Sequence, residues 1–176
     1  MTGPDDSVDA DARPVVVLIG APGAGKTRLG KRIARLLDVP FIDTDKRIVA
    51  EHGPIAQIFA DHGEPHFRRL EREAVAAALT EGAVVALGGG AVLDDDTRRD
   101  LGAQRVVQLT VSAEAVAERL AGGKRPLVDG VEAWSALVEK RLPIYDALAD
   151  RTFDTSSLPL DHIAVDIVGW IRETSA

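Results

Sequence analysis

A glycine-rich octapeptide near the start of the chain has the residue types that hold nucleotide phosphates. Residues 20–27 are Gly-Ala-Pro-Gly-Ala-Gly-Lys-Thr, which fits the pattern G-x-x-x-x-G-K-S/T without a gap. In that pattern, backbone N–H groups and a helix N-terminus hold the phosphates, the lysine follows the β- and γ-phosphates, and the hydroxyl reaches Mg²⁺. The predicted phosphate-binding residues are Gly20, Gly23, Ala24, Gly25, Lys26 and Thr27, with Thr27 also a predicted Mg²⁺ ligand.

The sequence around the octapeptide favours a nucleotide site over a plain glycine turn. The apolar, β-branched run Val15–Ile19 precedes it, and Lys26–Leu37 carries leucine and isoleucine at helical spacing. A buried strand, a glycine loop and an amphipathic helix in this order begin a βαβ unit.

Two carboxylates follow the next predicted strand. Asp43 and Asp45 flank Thr44 directly after the run Val39–Ile42. One carboxylate could hold Mg²⁺ through water, while the other could orient an acceptor hydroxyl towards the γ-phosphorus. The residues themselves do not decide which does which. The alternative is that Asp43 or Thr44 caps the following helix and Asp45 is a surface charge.

Three consecutive glycines, Gly88, Gly89 and Gly90, end the third predicted strand, Ala83–Leu87. Such a run costs conformational entropy on folding and therefore needs a structural reason. Either a ligand approaches the backbone N–H groups here, or the chain makes a tight turn into the next helix. The sequence leaves both explanations open.

Arginines supply candidate cations for an anionic ligand. Arg68 lies at helical spacing from Glu71, so a surface salt bridge is the plain explanation. Arg125 follows two glycines, where a lid arginine could stabilise charge on phosphates. Arg141 could bind a carboxylate through two parallel hydrogen bonds. Periodicity does not separate these three from the other arginines, and Trp134 is predicted to be a core or helix anchor.

Alternating strands and helices predict an α/β domain with a mostly parallel sheet. The predicted strands are Val15–Ile19, Val39–Ile42, Ala83–Leu87, Arg105–Val111 and Arg151–Asp154. The predicted helices are Lys26–Leu37, Thr44–Glu51, Ile55–Asp61, Glu64–Leu79, Asp94–Leu101, a helix capped by Ser112 that runs to about Ala121, Val131–Leu148 and Leu160–Arg172. Ligands of such sheets bind beyond the carboxyl ends of the strands. The loops after the first three strands should therefore meet at one edge of the sheet.

Composition limits the other classes of function. The chain has 176 residues, a formal net charge of −7 and no cysteine. The acidic charge disfavours nucleic acid and membrane surfaces as partners, and the missing cysteines exclude disulfides and thiolate metal sites. We expect a disordered tail at residues 1–13 and one domain at 14–176, with a lid at about 122–130. We also expect a cytoplasmic monomer, since no signal-like or membrane-spanning apolar run occurs.

Taken together, the motifs resemble the shikimate kinase family. The resemblance runs in order from about Val15 to Trp170 and therefore covers nearly all of the chain outside the N-terminal tail. Its motifs are Gly20–Thr27, Asp43–Asp45, Phe67-Arg68-Arg69 with Glu71, Leu87–Gly90, Arg125–Leu127 and Arg141–Tyr145. It implies a three-layer P-loop kinase of the nucleoside-monophosphate-kinase type, with a five-stranded parallel sheet flanked by helices, a lid and a substrate-binding helical region.

The resemblance also implies roles for individual residues, with ATP as co-substrate and Mg²⁺ as cofactor. The implied catalytic residues are Lys26, Asp45 and Arg125. The implied substrate-binding residues are Asp45, Arg68, Gly88, Gly89, Gly90 and Arg141. Asp43 would support Mg²⁺ beside Thr27, Arg119 would lie against the adenine together with the loop after Thr155, and Arg125 would reach the phosphates from the lid.

The hypothesis from the sequence is transfer of the ATP γ-phosphoryl group to the 3-hydroxyl of shikimate, a step of aromatic amino-acid biosynthesis. One alternative is a kinase of the same fold for gluconate, another small molecule or a nucleotide. A second alternative is a non-catalytic regulator that binds ATP as a switch. Intact Lys26, Asp45 and Arg125 argue against the regulator.

Overall fold

The computed structural model describes residues 12–121, 130–157 and 159–175 of the chain. The strands in these residues are Val16–Gly20 (β1), Phe41–Asp43 (β2), Val84–Ala86 (β3), Val106–Thr110 (β4) and Arg151–Asp154 (β5). The helices are Lys26–Leu37 (α1), Thr44–His52 (α2), Ile55–His62 (α3), Glu64–Ala78 (α4), Asp95–Leu101 (α5), Ala113–Ala121 (α6), Gly130–Leu148 (α7) and Leu160–Glu173 (α8), with a 3₁₀ turn at Ala91–Leu93.

The strands form one parallel sheet in the order β2-β3-β1-β4-β5. β1 lies at the centre, where Val17 pairs with Val85 of β3 and Val106 of β4. All five residues of β1 are buried, as an unbroken apolar run covered on both faces requires. The predicted five-stranded parallel sheet is confirmed.

Helices cover both faces of the sheet and complete three layers. On one face, Leu29 and Ile33 of α1 and Ile167 of α8 share a core with β1, β3 and β4. On the other face, Val75 of α4 and Tyr145 of α7 belong to a second core. The predicted three-layer α/β fold is therefore confirmed. Among the helices of the described residues, none combines the length and apolar character needed to cross a membrane.

Element boundaries differ from the predictions by one or two residues. The largest strand difference is at β2, which begins at Phe41 instead of Val39. Asp38 ends α1 in the left-handed region with φ 54°, and the Val39 amide still donates to the Ala34 carbonyl. The chain therefore completes the helix end before it enters the sheet. Residues 1–11 of the predicted tail and residues 122–129 of the predicted lid lie outside the described residues.

Candidate active site

The carboxyl ends of β1, β2 and β3 open into a cleft of about 1230 Å³. Because these three strands are neighbours in a parallel sheet, their following loops meet there, as the sequence predicted. The cleft is lined by residues of all three loops, including Lys26, Thr27, Asp43, Asp45 and Gly88.

The loop after β1 (the P-loop, residues 20–27) has the backbone geometry of a phosphate cradle. Gly23 and Gly25 adopt left-handed φ angles of 84° and 91°, which side-chain-bearing residues rarely adopt. Gly25 is the N-cap of α1 and carries no side chain to cap it. The first N–H groups of α1 are therefore left for an anion in the cleft.

The Lys26 side chain is half-buried at the base of the P-loop. Its Nζ donates hydrogen bonds to the carbonyl oxygens of Gly20 at 2.6 Å and Ala21 at 3.0 Å. Burial lowers the pKa of Lys26 to about 8, although Asp45 and Asp43 act in the opposite direction. A bound phosphate would place negative charge beside the ammonium group and stabilise its charged form, so this lysine is suited to an anionic ligand.

Thr27 and Asp43 bring two hard oxygen atoms together beside Lys26. The Thr27 hydroxyl donates to Oδ2 of Asp43 at 2.6 Å. Oδ1 of the same carboxylate accepts from the Lys46 amide at 3.1 Å and caps α2. The predicted helix cap is thus confirmed, and it leaves the other carboxylate oxygen beside Thr27. A hydroxyl and a carboxylate in contact are oxygen ligands of the kind that Mg²⁺ takes.

Asp45 lies in the first turn of α2, next to Gly88 of the three consecutive glycines 88–90 (the glycine triplet). Thr44 fixes this placement, because its hydroxyl contacts the Ala86 carbonyl at 3.4 Å and accepts from the Gly88 amide at 3.3 Å. A Cβ atom built on Gly88 would lie 2.5 Å from Oδ1 of Asp45. The carboxylate can therefore occupy this position only because residue 88 has no side chain.

The other two glycines of the triplet each face a predicted substrate-binding arginine. A Cβ on Gly89 would lie 3.3 Å from Nη1 of Arg141, and a Cβ on Gly90 would overlap the guanidinium of Arg68. Gly90 itself has an ordinary φ of −92°. The absence of side chains at residues 88–90 thus leaves room for the side chains of Asp45, Arg141 and Arg68. Neither explanation considered from the sequence, ligand approach or a tight turn, included this reason.

Arg68 and Arg141 lie on different helices and reach the triplet from different directions. Arg68 of α4 pairs with Glu71 at 2.6 Å and with Glu64 at 3.3 Å. The predicted Arg68–Glu71 pair is present, but Glu71 is buried, and burial raises the pKa of Glu71 against the opposing effect of Arg68. Arg141 acts electrostatically on both Glu71 and Lys26. Asp45, Arg68 and Arg141 are thereby gathered around one loop. Asp45 and Arg141 are close enough to Lys26 to act on its pKa, while the lining of the cleft includes Asp45 but neither arginine.

Comparison with known proteins identifies the family. Residues 22–172 match the family model described as shikimate kinase. The chain belongs to the shikimate kinase family. A shikimate kinase of Salinispora tropica is 47% identical over 90% of this chain and 98% of that relative. The solved shikimate kinase of Acinetobacter baumannii in complex with shikimate has a TM-score of 0.83 and 31% identity, and covers 94% of this chain and 96% of that one. A gluconokinase structure from Sinorhizobium meliloti has a TM-score of 0.54 at 21% identity over 90% of this chain and 91% of that one, and shares the fold alone.

Arg119 lines the end of the cleft that is away from the glycine triplet. It donates to the Gly23 carbonyl at 2.8 Å and also to the Thr155 carbonyl. Arg119 thus joins the P-loop to the loop after β5, the region where the sequence predicted adenine contacts. Arg125, the predicted lid arginine, lies outside the described residues.

The sequence did not predict three side-chain hydrogen bonds to the P-loop and to residues 88–90. Thr155 donates to the Ala24 carbonyl at 2.7 Å, Trp134 donates to the Pro22 carbonyl at 2.7 Å, and Tyr145 donates to the Gly89 carbonyl at 2.6 Å. Helical spacing does place Trp134 and Tyr145 on the same side of α7 as Arg141. That signal was available, but it does not identify the carbonyls that the two side chains bind.

Proposed function

We propose that the chain transfers the γ-phosphoryl group of ATP to the 3-hydroxyl of shikimate. The observation that carries the proposal is the grouping of Asp45, Arg68 and Arg141 around residues 88–90, beside the P-loop. A carboxylate near two guanidinium groups suits an acid that also carries hydroxyls. Family membership supports the same substrate.

On the acceptor side, we assign Arg68 and Arg141 to the substrate carboxylate and Asp45 to the acceptor hydroxyl. Asp45 would accept the hydrogen bond of that hydroxyl and hold its oxygen in line with the γ-phosphorus. The backbone of residues 88–90 would line the same pocket, since Gly88 and Gly89 already belong to the wall of the cleft.

On the donor side, the N–H groups of the P-loop and Lys26 would bind the phosphates of ATP. Thr27 and Asp43 would hold Mg²⁺, which supplies positive charge to the phosphates when bound. Arg119 would lie beside the adenine. Arg125 would contact the transferring phosphoryl group.

Phosphoryl transfer requires the protein mainly to position the two substrates and to neutralise the charge of the phosphates. The acceptor oxygen forms a bond to the γ-phosphorus while the bond from that phosphorus to the β–γ bridging oxygen breaks, which releases ADP. The proton of the acceptor hydroxyl would pass to Asp45 and from there to solvent. This transfer needs no covalent enzyme intermediate, so alignment of the two substrates and neutralisation of phosphate charge account for most of the acceleration.

We also propose that residues 14–176 act as one kinase domain and as a cytoplasmic monomer without nucleic-acid or membrane partners. The net charge of −7 supports the last part, because it opposes binding to other polyanions. Size-exclusion chromatography with light scattering tests the monomer, which a dimer mass would contradict.

A coupled ADP-release assay tests the proposed function. Shikimate, gluconate and nucleoside monophosphates are supplied separately as acceptors, and only shikimate should drive rapid ADP release. Faster turnover with gluconate or a nucleotide would move the chain to another kinase of this fold. Tight ATP binding without turnover on any acceptor would favour the non-catalytic regulator.

A further inference from the structure

Helix α7 contacts two loops of the cleft, the P-loop and residues 88–90, through the polar atoms of two aromatic side chains. Near its start, the indole Nε1 of Trp134 donates to the carbonyl oxygen of Pro22 in the P-loop at 2.7 Å. Near its end, the hydroxyl of Tyr145 donates to the carbonyl oxygen of Gly89 in the glycine triplet at 2.6 Å. Each loop is thus hydrogen-bonded to the same helix.

Both aromatic side chains are fixed by packing. Trp134 is 6% exposed and lies in a small core with Ala21 of the P-loop and Val116 of α6. Tyr145 is 1% exposed and belongs to the core between the sheet and α4. Buried aromatic rings have few alternative rotamers, so their polar atoms hold the two carbonyls in defined positions.

The two loops also lie next to each other. A Cβ atom on Gly89 would lie 3.3 Å from Cδ of Pro22 and 3.3 Å from Nη1 of Arg141. Pro22, Gly89 and the helix therefore form a closed circuit: Trp134 to Pro22, Pro22 to Gly89, Gly89 to Tyr145. Trp134 and Tyr145 are about 16 Å apart along the helix axis.

Arg141 lies on α7 between the two aromatic residues. It is about two helical turns after Trp134 and about one turn before Tyr145. The helix segment that carries Arg141 is therefore anchored to the P-loop before it and to the triplet after it.

We propose that Trp134 and Tyr145 are positioning residues for phosphoryl transfer, which set the separation of donor and acceptor by tying both loops to α7. The inference rests on the proposed function. Rates of transfer between two bound substrates depend steeply on their separation and alignment, since misplacement by about 1 Å can cost about 100-fold. Loss of either hydrogen bond should therefore act on the chemical step more than on the binding of either substrate.

The test uses Trp134→Phe and Tyr145→Phe, which remove the donor N–H or O–H and keep an aromatic ring. Trp170→Phe is the matched control, because Trp170 lies over Arg105 at the amino end of β4 and away from the cleft. We expect kcat to fall about tenfold in each of the first two variants. The KM for ATP should change little in both variants, and the KM for shikimate should change little in Trp134→Phe. Tyr145→Phe also loses an interaction with Arg141 and should therefore raise the KM for shikimate as well, while Trp170→Phe should behave as the unmodified chain.

Two further readouts separate positioning from general stability. The ratio of ADP released to phosphorylated acceptor formed should rise in both variants, because a misaligned γ-phosphoryl group is lost to water more often. The double variant should cost little more than the worse single variant, since either break opens the same circuit. A kcat no lower than that of Trp170→Phe, or an unchanged product ratio, would overturn the proposal.

Hydrogen exchange of the ligand-free protein tests the inference without any turnover. Amides of residues 20–27 should exchange faster in Trp134→Phe, and those of residues 88–90 faster in Tyr145→Phe, with α8 as the internal reference. Unchanged exchange in both loops would also overturn the proposal. An unmodified chain that does not turn over shikimate would instead contradict the proposed function, while the exchange result still decides whether α7 holds the loops.

Discussion

Replacing Gly88 with alanine should displace Asp45 and slow phosphoryl transfer. The added Cβ would lie 2.5 Å from Oδ1 of Asp45, whereas ordinary van der Waals contact begins at 3.4 Å. The carboxylate must therefore withdraw by the difference, about 0.9 Å. Gly88 is not in the left-handed region, so the backbone itself tolerates alanine and the change acts through this contact.

The expected size of the effect follows from that displacement. Moving a catalytic group by about 1 Å can cost about 100-fold in rate, which corresponds to about 2.7 kcal/mol of activation free energy. We therefore expect kcat of Gly88→Ala to fall by about 100-fold. The KM for ATP should change little, because the three heavy atoms nearest to the new methyl group all belong to Asp45 and none to the P-loop.

Two alanine variants serve as controls in the same coupled assay. Gly89→Ala meets its nearest atoms at 3.3 Å and needs a shift of only about 0.1 Å, so its loss of kcat should be much smaller. Gly169→Ala in α8 meets nothing within 4 Å and should retain full activity. If Gly88→Ala keeps its thermal midpoint and its kcat equals that of Gly89→Ala, Asp45 does not depend on Gly88 in the way the structure indicates.

Three further predictions concern the charged residues. Arg141→Ala should raise the KM for shikimate by about 10- to 100-fold, since charge-assisted hydrogen bonds contribute about 1.5–3 kcal/mol; an equal loss of ATP affinity in steady-state kinetics would contradict its assignment. Lys26→Ala should lower kcat by about 100- to 1000-fold with the circular dichroism spectrum retained, and an unchanged kcat would remove Lys26 from the catalytic set. Because burial lowers the pKa of Lys26 to about 8 and phosphates raise it, ATP binding at pH 8 should take up about half a proton. Calorimetry in buffers of different ionisation enthalpy measures this uptake, which should be absent from Lys26→Ala at the same pH; buffer-independent heats of the unmodified chain at pH 8 would exclude it.

The fold was predictable because its information is local. The buried run that became β1, the helical spacing in α1 and the Ser112 cap of α6 all depend on neighbouring residues. Parallel order then brings the loops after β1, β2 and β3 to one edge, which is a property of the topology and needs no atomic detail. Only the ends of elements, such as the start of β2, depended on backbone geometry that sequence patterns do not specify.

The site was predictable only in part. The P-loop and the two aspartates stand out from their own sequence, whereas Arg68 and Arg141 were selected by resemblance to a family. The match of each glycine of the triplet to Asp45, Arg141 or Arg68 depends on contacts between remote segments, which no local pattern records.

Asp43 joins two parts of the protein that would otherwise be independent. One of its carboxylate oxygens begins α2 and the other meets Thr27, so the same side chain belongs to a helix end and to the nucleotide site. Asp45 follows one residue after Thr44 in the first turn of that helix. A ligand that draws the Asp43 carboxylate away from Thr27 would also disturb its hydrogen bond to the Lys46 amide at the start of α2. Occupation of the nucleotide half of the cleft would then reach Asp45 through a single turn of helix.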